Sequence, residues 1–451
     1  MADLLQTRVE AIRRLARRRA HAALQRALEK SHAEDIAAAM SHLAPGEQRF
    51  LMSEIANDAI ASQVLASVDE HDLKILSQSL PFERLVCLLE AMDPDDEADV
   101  ISCLPKDLRE QVMAAITGED KAHIEEILAW PEDSAGGIMS PLAFRLNEDL
   151  TCRDAIAALQ DADDLEMVFY IYVENESGQL VGVTSLRNLL TNSPSLKLSE
   201  VMSSDVITVE PHTDQEEVAR IVSHYDLLAV PVVDERRNLL GIVTIDDVVD
   251  VIKEEAVEDM LLMAGMGDGE APHTGSVFQS ARQRFLWLLV TLFGGIGMAM
   301  VIGLFEGTLA KAPVLAGFIP VMMGTGGNVG IQAATIAVRN IAIGHVATGM
   351  LLIFREARVG LLLGLGFAIA LGAYTLLSDS GGVDRVQLAT AIATAIIVTT
   401  TCAAVFGALV PVTLNRLGTD PAIATGPFVT TGIDVVAILI YFGTCKAILA
   451  L

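Results

Sequence analysis

The chain has 451 residues, long enough for about two to four domains, and 52% of them are hydrophobic. Mean hydropathy of +0.45 is too apolar for a purely soluble protein. Against 31 basic residues stand 59 acidic ones, a balance that argues against nucleic acid as a partner, because phosphate backbones select basic surfaces.

The charge is unevenly placed. Of the acidic residues 53 precede position 281, and of the basic residues 22 do, so the first 280 positions carry about −31 and the remainder about +3. An acidic soluble module is thus joined to an apolar one. Its carboxylates suit cations, with simple solvation of an acidic surface as the bland alternative. Five cysteines (Cys87, Cys103, Cys152, Cys402, Cys445), odd in number and without a CxxC pair, fit a reducing compartment and no zinc site.

The opening segment, 1–29, contains RRLARRRAHAALQR at 13–26 and reads as a basic, partly amphipathic helix. It lacks the apolar core of a signal peptide. A solvated leader helix is expected, with contact to anionic lipid or to the acidic domain as the alternative. From 30 to 130, short apolar helical patterns are punctuated by proline near their starts (LAPGEQ, LPFERL, MDPDDEADV, LPKDLREQV). Pro81, Pro94 and Pro105 recur at a spacing that predicts a superhelix of short stacked helices.

WPEDSAGGIMS at 130–140 ends this pattern, and the chain then repeats itself over 131–200 and 201–253. IMSPLAF at 138 corresponds to VMSSDVI at 201, and YIYVENESGQLVGVTSLRNLL at 170 to LAVPVVDERRNLLGIVTIDDVV at 228. Each copy predicts strand, helix, two β-branched strands and a closing helix. On the pattern Gly182, Ser185, Asn188 and Gly241, Thr244, Asp247, the repeat resembles a tandem pair of CBS domains. That resemblance implies a regulatory adenine nucleotide such as ATP, with Tyr170, Arg187 and Asn188 as candidate contacts; Asn188 replaces the usual ribose-holding aspartate.

DDVVDVIKEEAVEDM at 246–260 continues as an acidic helix, and 254–280 is expected to connect it to the membrane through GMGDGEAPHTGS. The region 281–451 reads as five spans, near 283–305, 312–337, 356–377, 387–411 and 425–449. With the soluble module inside, the inner flanks hold Arg282, Arg284, Arg339, Arg355, Arg358 and Arg416, and the outer flanks Lys311, Arg385 and Lys446. This obeys the positive-inside tendency and puts the C-terminus outside.

Two features of the apolar region carry chemistry. PVMMGTGGNVGIQAATIAVR at 320–339 is too rich in glycine for a lipid-facing helix, so it packs closely against other backbones or lines a wet path. Asn328 and Gln332, four apart, share one face. FVTTGIDVVAILIYFG at 428–443 buries Asp434, at a cost of roughly 3 kcal/mol even on lenient insertion scales, with no cation at its depth to pair with it. Thr430 precedes it by one turn.

Together, GGNVGIQ, DPAIATGPFVTTGIDVV and HYDLLAVPVVD resemble the MgtE family of magnesium channels and transporters, and the likeness covers nearly the whole chain. It implies an all-α superhelical N domain, an α/β tandem CBS pair, a long connecting helix and an α-helical bundle of five spans, assembled as a homodimer in the inner membrane of a bacterium. It further implies that Asp434 from each subunit faces the pore and that Asp420 lies near its cytoplasmic mouth. Mg²⁺ would also bind between the soluble domains and hold the pore closed, through Asp214, Glu216, Asp226, Asp247, Asp250, Glu255, Glu258 and Asp259, with Asp95 and Asp99 from the N domain.

The chemistry agrees with a passive Mg²⁺ path. This hard ion sheds water reluctantly and suits one or two carboxylates with neutral oxygens. No G-x-x-x-x-G-K-[ST] loop is present to couple transport to ATP. Oxygen ligands alone leave Co²⁺, Mn²⁺ and Ca²⁺ open. A membrane-anchored nucleotide receptor would make Asp434 dispensable, and an intramembrane enzyme would need a base that the spans lack, since the sole histidine after 280 is His345, expected in a loop.

Overall fold

The computed structural model describes every residue except Met1, 117–118, 163–167, 267–276, 343–348, 379–380, 423–425 and Leu451. Most of the expected linker GMGDGEAPHTGS and the His345 loop therefore lie outside the described residues. Two compact units divide the chain, Met1–Glu255 and Ala256–Leu451.

The first unit opens with helices α1 (Ala2–Arg17), α2 (His21–Leu28), α3 (Ala33–Met40), α4 (Pro45–Glu54), α5 (Asp58–Ala66), α6 (Glu70–Ser79), α7 (Phe82–Leu89), α8 (Pro94–Cys103), α9 (Lys106–Ala115) and α10 (Glu119–Ile127). Pro45 and Pro94 begin α4 and α8, and Pro81 and Pro105 immediately precede α7 and α9. At those places the missing N–H costs nothing and the locked φ starts the turn. Each helix stacks on the next but one, α3 on α5 on α7 and α4 on α6 on α8 on α10, so that one core runs through Ile36, Leu65, Leu76, Leu88 and Ile101. The superhelix expected from the proline spacing is present.

The opening segment corrects its expectation. It forms two helices, and Ile12, Ala16, Leu24 and Leu28 are buried in the same core as α3 to α10. Arg14, Arg17, Arg18 and Arg19 are exposed beside an apolar stripe at helical spacing, while Arg13 is partly buried. The partly amphipathic pattern is thus used for packing as the first layer of the superhelix, which is the alternative of contact with the acidic domain rather than a solvated leader.

Next come β1 (Arg145–Asn147), α11 (Cys152–Gln160), β2 (Tyr170–Glu174), β3 (Leu180–Ser185), α12 (Leu186–Thr191) and α13 (Leu198–Val201). The second copy supplies α14 (Gln215–Tyr225), β4 (Ala229–Val233), β5 (Leu239–Thr244) and α15 (Ile245–Met263), but among the described residues not the leading strand expected of each copy, whose place is held by a single parallel bridge between Val209 and Val232. β1 pairs parallel with β2, β2 antiparallel with β3, and β4 antiparallel with β5. The register shifts at Val173/Glu174 in one hairpin and at Val232/Val233 in the other, so the internal repeat extends to its irregularities.

The two copies are interlocked. Ser140, in the leading segment of the first copy, exchanges both backbone hydrogen bonds with Ile242 of the second, while Ser203, in the leading segment of the second, does the same with Val183 of the first. Each leading segment thus caps the sheet of the other copy. This explains the two glycines of the repeated pattern: a Cβ on Gly241 would lie 2.6 Å from the Ser140 carbonyl oxygen, and one on Gly182 would collide with the Met202 thioether.

The second unit takes in the end of α15 and then α16 (Val277–Gly303), α17 (Glu306–Lys311), a short 3₁₀ turn at Pro313–Phe318, α18 (Ile319–Ala342), α19 (Gly349–Leu377), α20 (Arg385–Arg416) and α21 (Pro427–Leu449). Among the described residues four segments are long and apolar enough to cross a membrane: Pro313–Ala342, Gly349–Leu377, Arg385–Arg416 and Val429–Leu449. The first expected span appears in α16, with a shorter apolar run over Trp287–Gly303. α20 lies at the centre, against α18, α19 and α21, and continues past Pro411 to Arg416, beyond its expected limit.

Candidate functional site

In the membrane unit the site is built on α18 and α21. The glycine-rich segment forms continuous helix, and its glycines are used for close approach. A Cβ on Gly407 of α20 would run into the Gly330 carbonyl of α18, and one on Gly326 would stand 3.1 Å from the Thr399 methyl. One position differs. A Cβ on Gly327 would meet Asp434 Oδ1 at 3.6 Å, an ordinary contact, so the lone acid lies against the α18 backbone at this glycine.

Asp434 is half-buried, and no cationic side chain pairs with it among the described residues. One turn earlier, Thr430 Oγ1 donates to the Gly426 carbonyl at 3.5 Å. Asn328 and Gln332 do share a face, as their spacing required, and together with Gly324 they form an exposed polar stripe on α18. Asp420 stands apart in the loop from α20 to α21, exposed, with Oδ1 accepting from the Ala422 N–H at 2.7 Å.

In the first unit, α8 and the start of α15 bring together a second set of acids. Asp247 raises the proton affinity of both Asp95 and Asp99, and Asp96 raises that of all three. Desolvation is the largest cause in each case and like charge adds to it. The Asp95 carboxyl is held well above the usual carboxylate range, that of Asp99 is raised to about 7 and that of Asp247 to about 6. Asp99 keeps an exposed edge, while Asp95 and Asp247 are half-buried. Thr244 donates to Asp247 through both its hydroxyl and its backbone N–H, which fixes the carboxylate at the head of α15. Asp95 Oδ1 is buried without a hydrogen-bond partner among the described residues.

The remaining acids are spread along the second copy and α15. Asp214 caps α14 by accepting from the Glu216 N–H at 2.9 Å, and the adjacent Gln215 Nε2 donates to Glu255 at 2.6 Å, so Asp214, Glu216 and Glu255 cluster where α14 meets α15. Asp226 ends α14 in the left-handed region at φ 51° and is exposed. Asp250 is exposed and pairs with Lys253. Glu258 and Asp259 continue the acidic face of α15 within the second unit. Glu254, not singled out from the sequence, is raised by desolvation and by neighbouring Asp250 and Glu255. Its signal was the i, i+4 spacing from Asp250.

No three carboxylates converge as a ready-made coordination set among the described residues. The arrangement instead suits a hydrated hard cation, held by opposed carboxylates through its water. Residues Asp95, Asp99 and Asp247 fit that role, because the orphaned Asp95 oxygen and the mutual repulsion are both relieved by positive charge.

Of the expected nucleotide contacts, Tyr170 lines a cleft with Phe144, Phe169, Tyr172 and Thr244. The Tyr172 hydroxyl is buried there without a partner. Arg187 and Asn188 stand outside that lining, exposed at the start of α12, with Ser185 Oγ accepting from the Asn188 N–H. Hence the structure brings together only part of the expected set.

Three family profiles match in chain order: the MgtE intracellular N domain over 31–133, a CBS domain over 198–254, and the MgtE divalent cation transporter over 319–444. The magnesium transporter MgtE of Thermus thermophilus is 33% identical over 436 residues, covering 95% of each chain. That of Enterococcus faecalis is 36% identical over 331 residues, 72% of this chain and 71% of its own. Among solved structures, the soluble part of a magnesium transporter matches at 26% identity and TM-score 0.50, over 56% of this chain and 99% of that one.

Proposed function

The chain belongs to the MgtE family of divalent cation transporters, and on that footing we propose that it carries Mg²⁺ passively through a membrane along a path lined by Asp434. The observation that carries this reading is the placement of Asp434 over Gly327, half-buried at helix depth without a cationic partner among the described residues. A mobile cation and its water repay the cost of burying a carboxylate so placed. The polar stripe of Gly324, Asn328 and Gln332 supports a homodimer, because a lipid-facing helix does not expose two amides. Two copies of Asp434 supply two charges without chelation, so the ion enters and leaves. Thr430 adds a neutral oxygen, and Asp420 attracts cations at the loop from α20.

The soluble unit faces the cytoplasm of a bacterial inner membrane in this reading, with the C-terminus outside, as the flanking arginines and lysines favour. Asp95, Asp99 and Asp247 repel one another across the N domain and the CBS pair, so the compact arrangement is stable only when their charge is neutralised. Regulatory Mg²⁺ held there, and at Asp214, Glu216, Asp226, Asp250, Glu255, Glu258 and Asp259, supplies that neutralisation. When it leaves, the repulsion between carboxylates favours separation, and the population shifts toward the open pore. An adenine nucleotide such as ATP would be a further regulator with its base on Tyr170, where the aromatic cleft, of about 10 Å³ as it stands, would have to open to admit it.

Planar-bilayer recording tests the transport reading. It predicts Mg²⁺ current that reverses where the Mg²⁺ gradient dictates and is lost in Asp434→Ala. A folded protein that stays silent in every Mg²⁺ gradient supports the receptor alternative, and equal currents with Co²⁺, Mn²⁺ or Ca²⁺ refute selectivity for magnesium.

A further inference from the structure

Two polar side chains meet inside the superhelix, Gln48 of α4 and Asp72 of α6, which are 1% and 3% exposed. Both amide hydrogens of Gln48 are in use, since Nε2 donates to the Met40 carbonyl at 3.1 Å and to Asp72 Oδ1 at 2.8 Å. These two bonds also fix which end of the amide is nitrogen, because a flipped Gln48 would set its oxygen against a carbonyl and a carboxyl oxygen. Gln48 Oε1 and Asp72 Oδ2 are then left as two buried acceptors without a hydrogen-bond partner among the described residues. They are the other oxygens of the same two planar groups, and neither group has a donor left to give.

We propose that Asp72 and Gln48 form a proton-binding site, in which a proton taken from solvent sits on Asp72 Oδ2 and is donated to Gln48 Oε1, closing an acid–amide ring. One proton satisfies both leftover oxygens, each of which otherwise carries the penalty of a buried bond unmade. It also spares the core a buried negative charge. The charged and titratable groups around Asp72 are Asp69 and His71 of its own helix and His42 ahead of α4, and α8, which also packs on α6, contributes the buried acid Glu97. Burial is the largest cause of the raised proton affinity of Asp72, and Asp69 adds to it; the Gln48 bond and the two histidines oppose the rise without reversing it. Because α6 packs on α8, which bears Asp95 and Asp99, the layer beneath those acids loses a hydrogen bond when the proton leaves.

The full-length protein in detergent is followed by infrared spectroscopy and by hydrogen exchange of the α4 and α6 amides, beside Asp72→Asn and Gln48→Met. Asparagine carries its own donor in place of the protonated oxygen, so it rebuilds the ring without a titrating group. A protonated-carboxyl band that disappears in Asp72→Asn is expected at about pH 5, where an ordinary aspartate is mostly ionised. Gln48→Met should shift that band, as the acid loses its partner. Relative to Asp72→Asn, the original chain should lose protection by up to ~10-fold per pH unit as pH rises from the ordinary carboxylate range through the raised value, then level off, because the folded state holds the proton more tightly than the unfolded chain. The raised acids on α8 titrate in both proteins and cancel in this comparison. No band dependent on Asp72 at about pH 5, the result if Asp72 stays ionised and a water bridges the two oxygens, overturns the assignment. So does a band that Gln48→Met leaves unmoved, or protection that follows pH alike in the original chain and in Asp72→Asn. Mg²⁺ flux is read in no arm, so the outcome is independent of the transport reading.

Discussion

Replacing Asp247 by asparagine keeps an oxygen to accept from Thr244 and removes a charge from the crowded acidic group. The Asp247 carboxyl is raised from 3.8 to about 6 by burial and by neighbouring acids. Ionising it in the compact state therefore costs up to ~3 kcal/mol at 1.36 kcal/mol per pH unit. Because the carboxylate keeps some solvent contact, about 1–2 kcal/mol is the usable figure. The sign follows from the direction: stability tied to a raised acid is full below the ordinary carboxylate range and is lost as pH rises through about 6 for Asp247 and about 7 for Asp99. In chelator at about pH 8, Asp247→Asn should therefore strengthen the contact between α8 and the CBS pair. Hydrogen exchange of α8 amides reads this directly, and protection should rise about 5- to 30-fold over the unsubstituted protein. Added Mg²⁺ should raise it little further in the variant and strongly in the original chain. Unchanged or lower protection in chelator would refute the reasoning, since it would show that the charges do not oppose the contact.

Mg²⁺ binding near pH 7 should release protons, because Asp99 is about half protonated there; calorimetry in buffers of different ionisation enthalpy measures the release, and Asp99→Asn should reduce it. Gly241→Ala drives a methyl onto the backbone oxygen of Ser140 and should lower CBS-pair stability by ~1–3 kcal/mol, seen as a lower urea midpoint of its hairpin by hydrogen exchange. Gly182→Ala meets the flexible Met202 side chain instead and should cost less. Gly407→Ala forces α20 away from the Gly330 carbonyl and should lower the thermal midpoint of the membrane unit in detergent, with Mg²⁺ flux reduced alongside.

The superhelix was legible because proline placement and apolar spacing are local signals, visible in a single segment. So was the repeat, down to its hairpins. The interlocking of the two copies was not, since the contacts of Ser140 with Ile242 and of Ser203 with Val183 join distant segments that carry no pairing signal of their own. The burial of Ile12 and Leu24 was hidden by the arginines around them, which set the composition but not the face that packs. For the site, the isolation of Asp434 among apolar residues was plain, whereas its place over Gly327 depends on how α18 and α21 meet. The group of Asp95, Asp99 and Asp247 needed the fold to unite residues about 150 positions apart, and Arg187 and Asn188 fell outside the aromatic cleft for the same reason.

Mg²⁺ entry into proteoliposomes loaded with a magnesium-sensitive dye, with the soluble unit facing the bath, tests the account most directly. Vesicles pretreated in dilute Mg²⁺ should take up the ion on addition of an inward gradient, vesicles held in millimolar Mg²⁺ should not, and Asp434→Asn vesicles should stay dark in both. Uptake by the Asp434→Asn protein at the original rate, or uptake indifferent to the pretreatment, would contradict it.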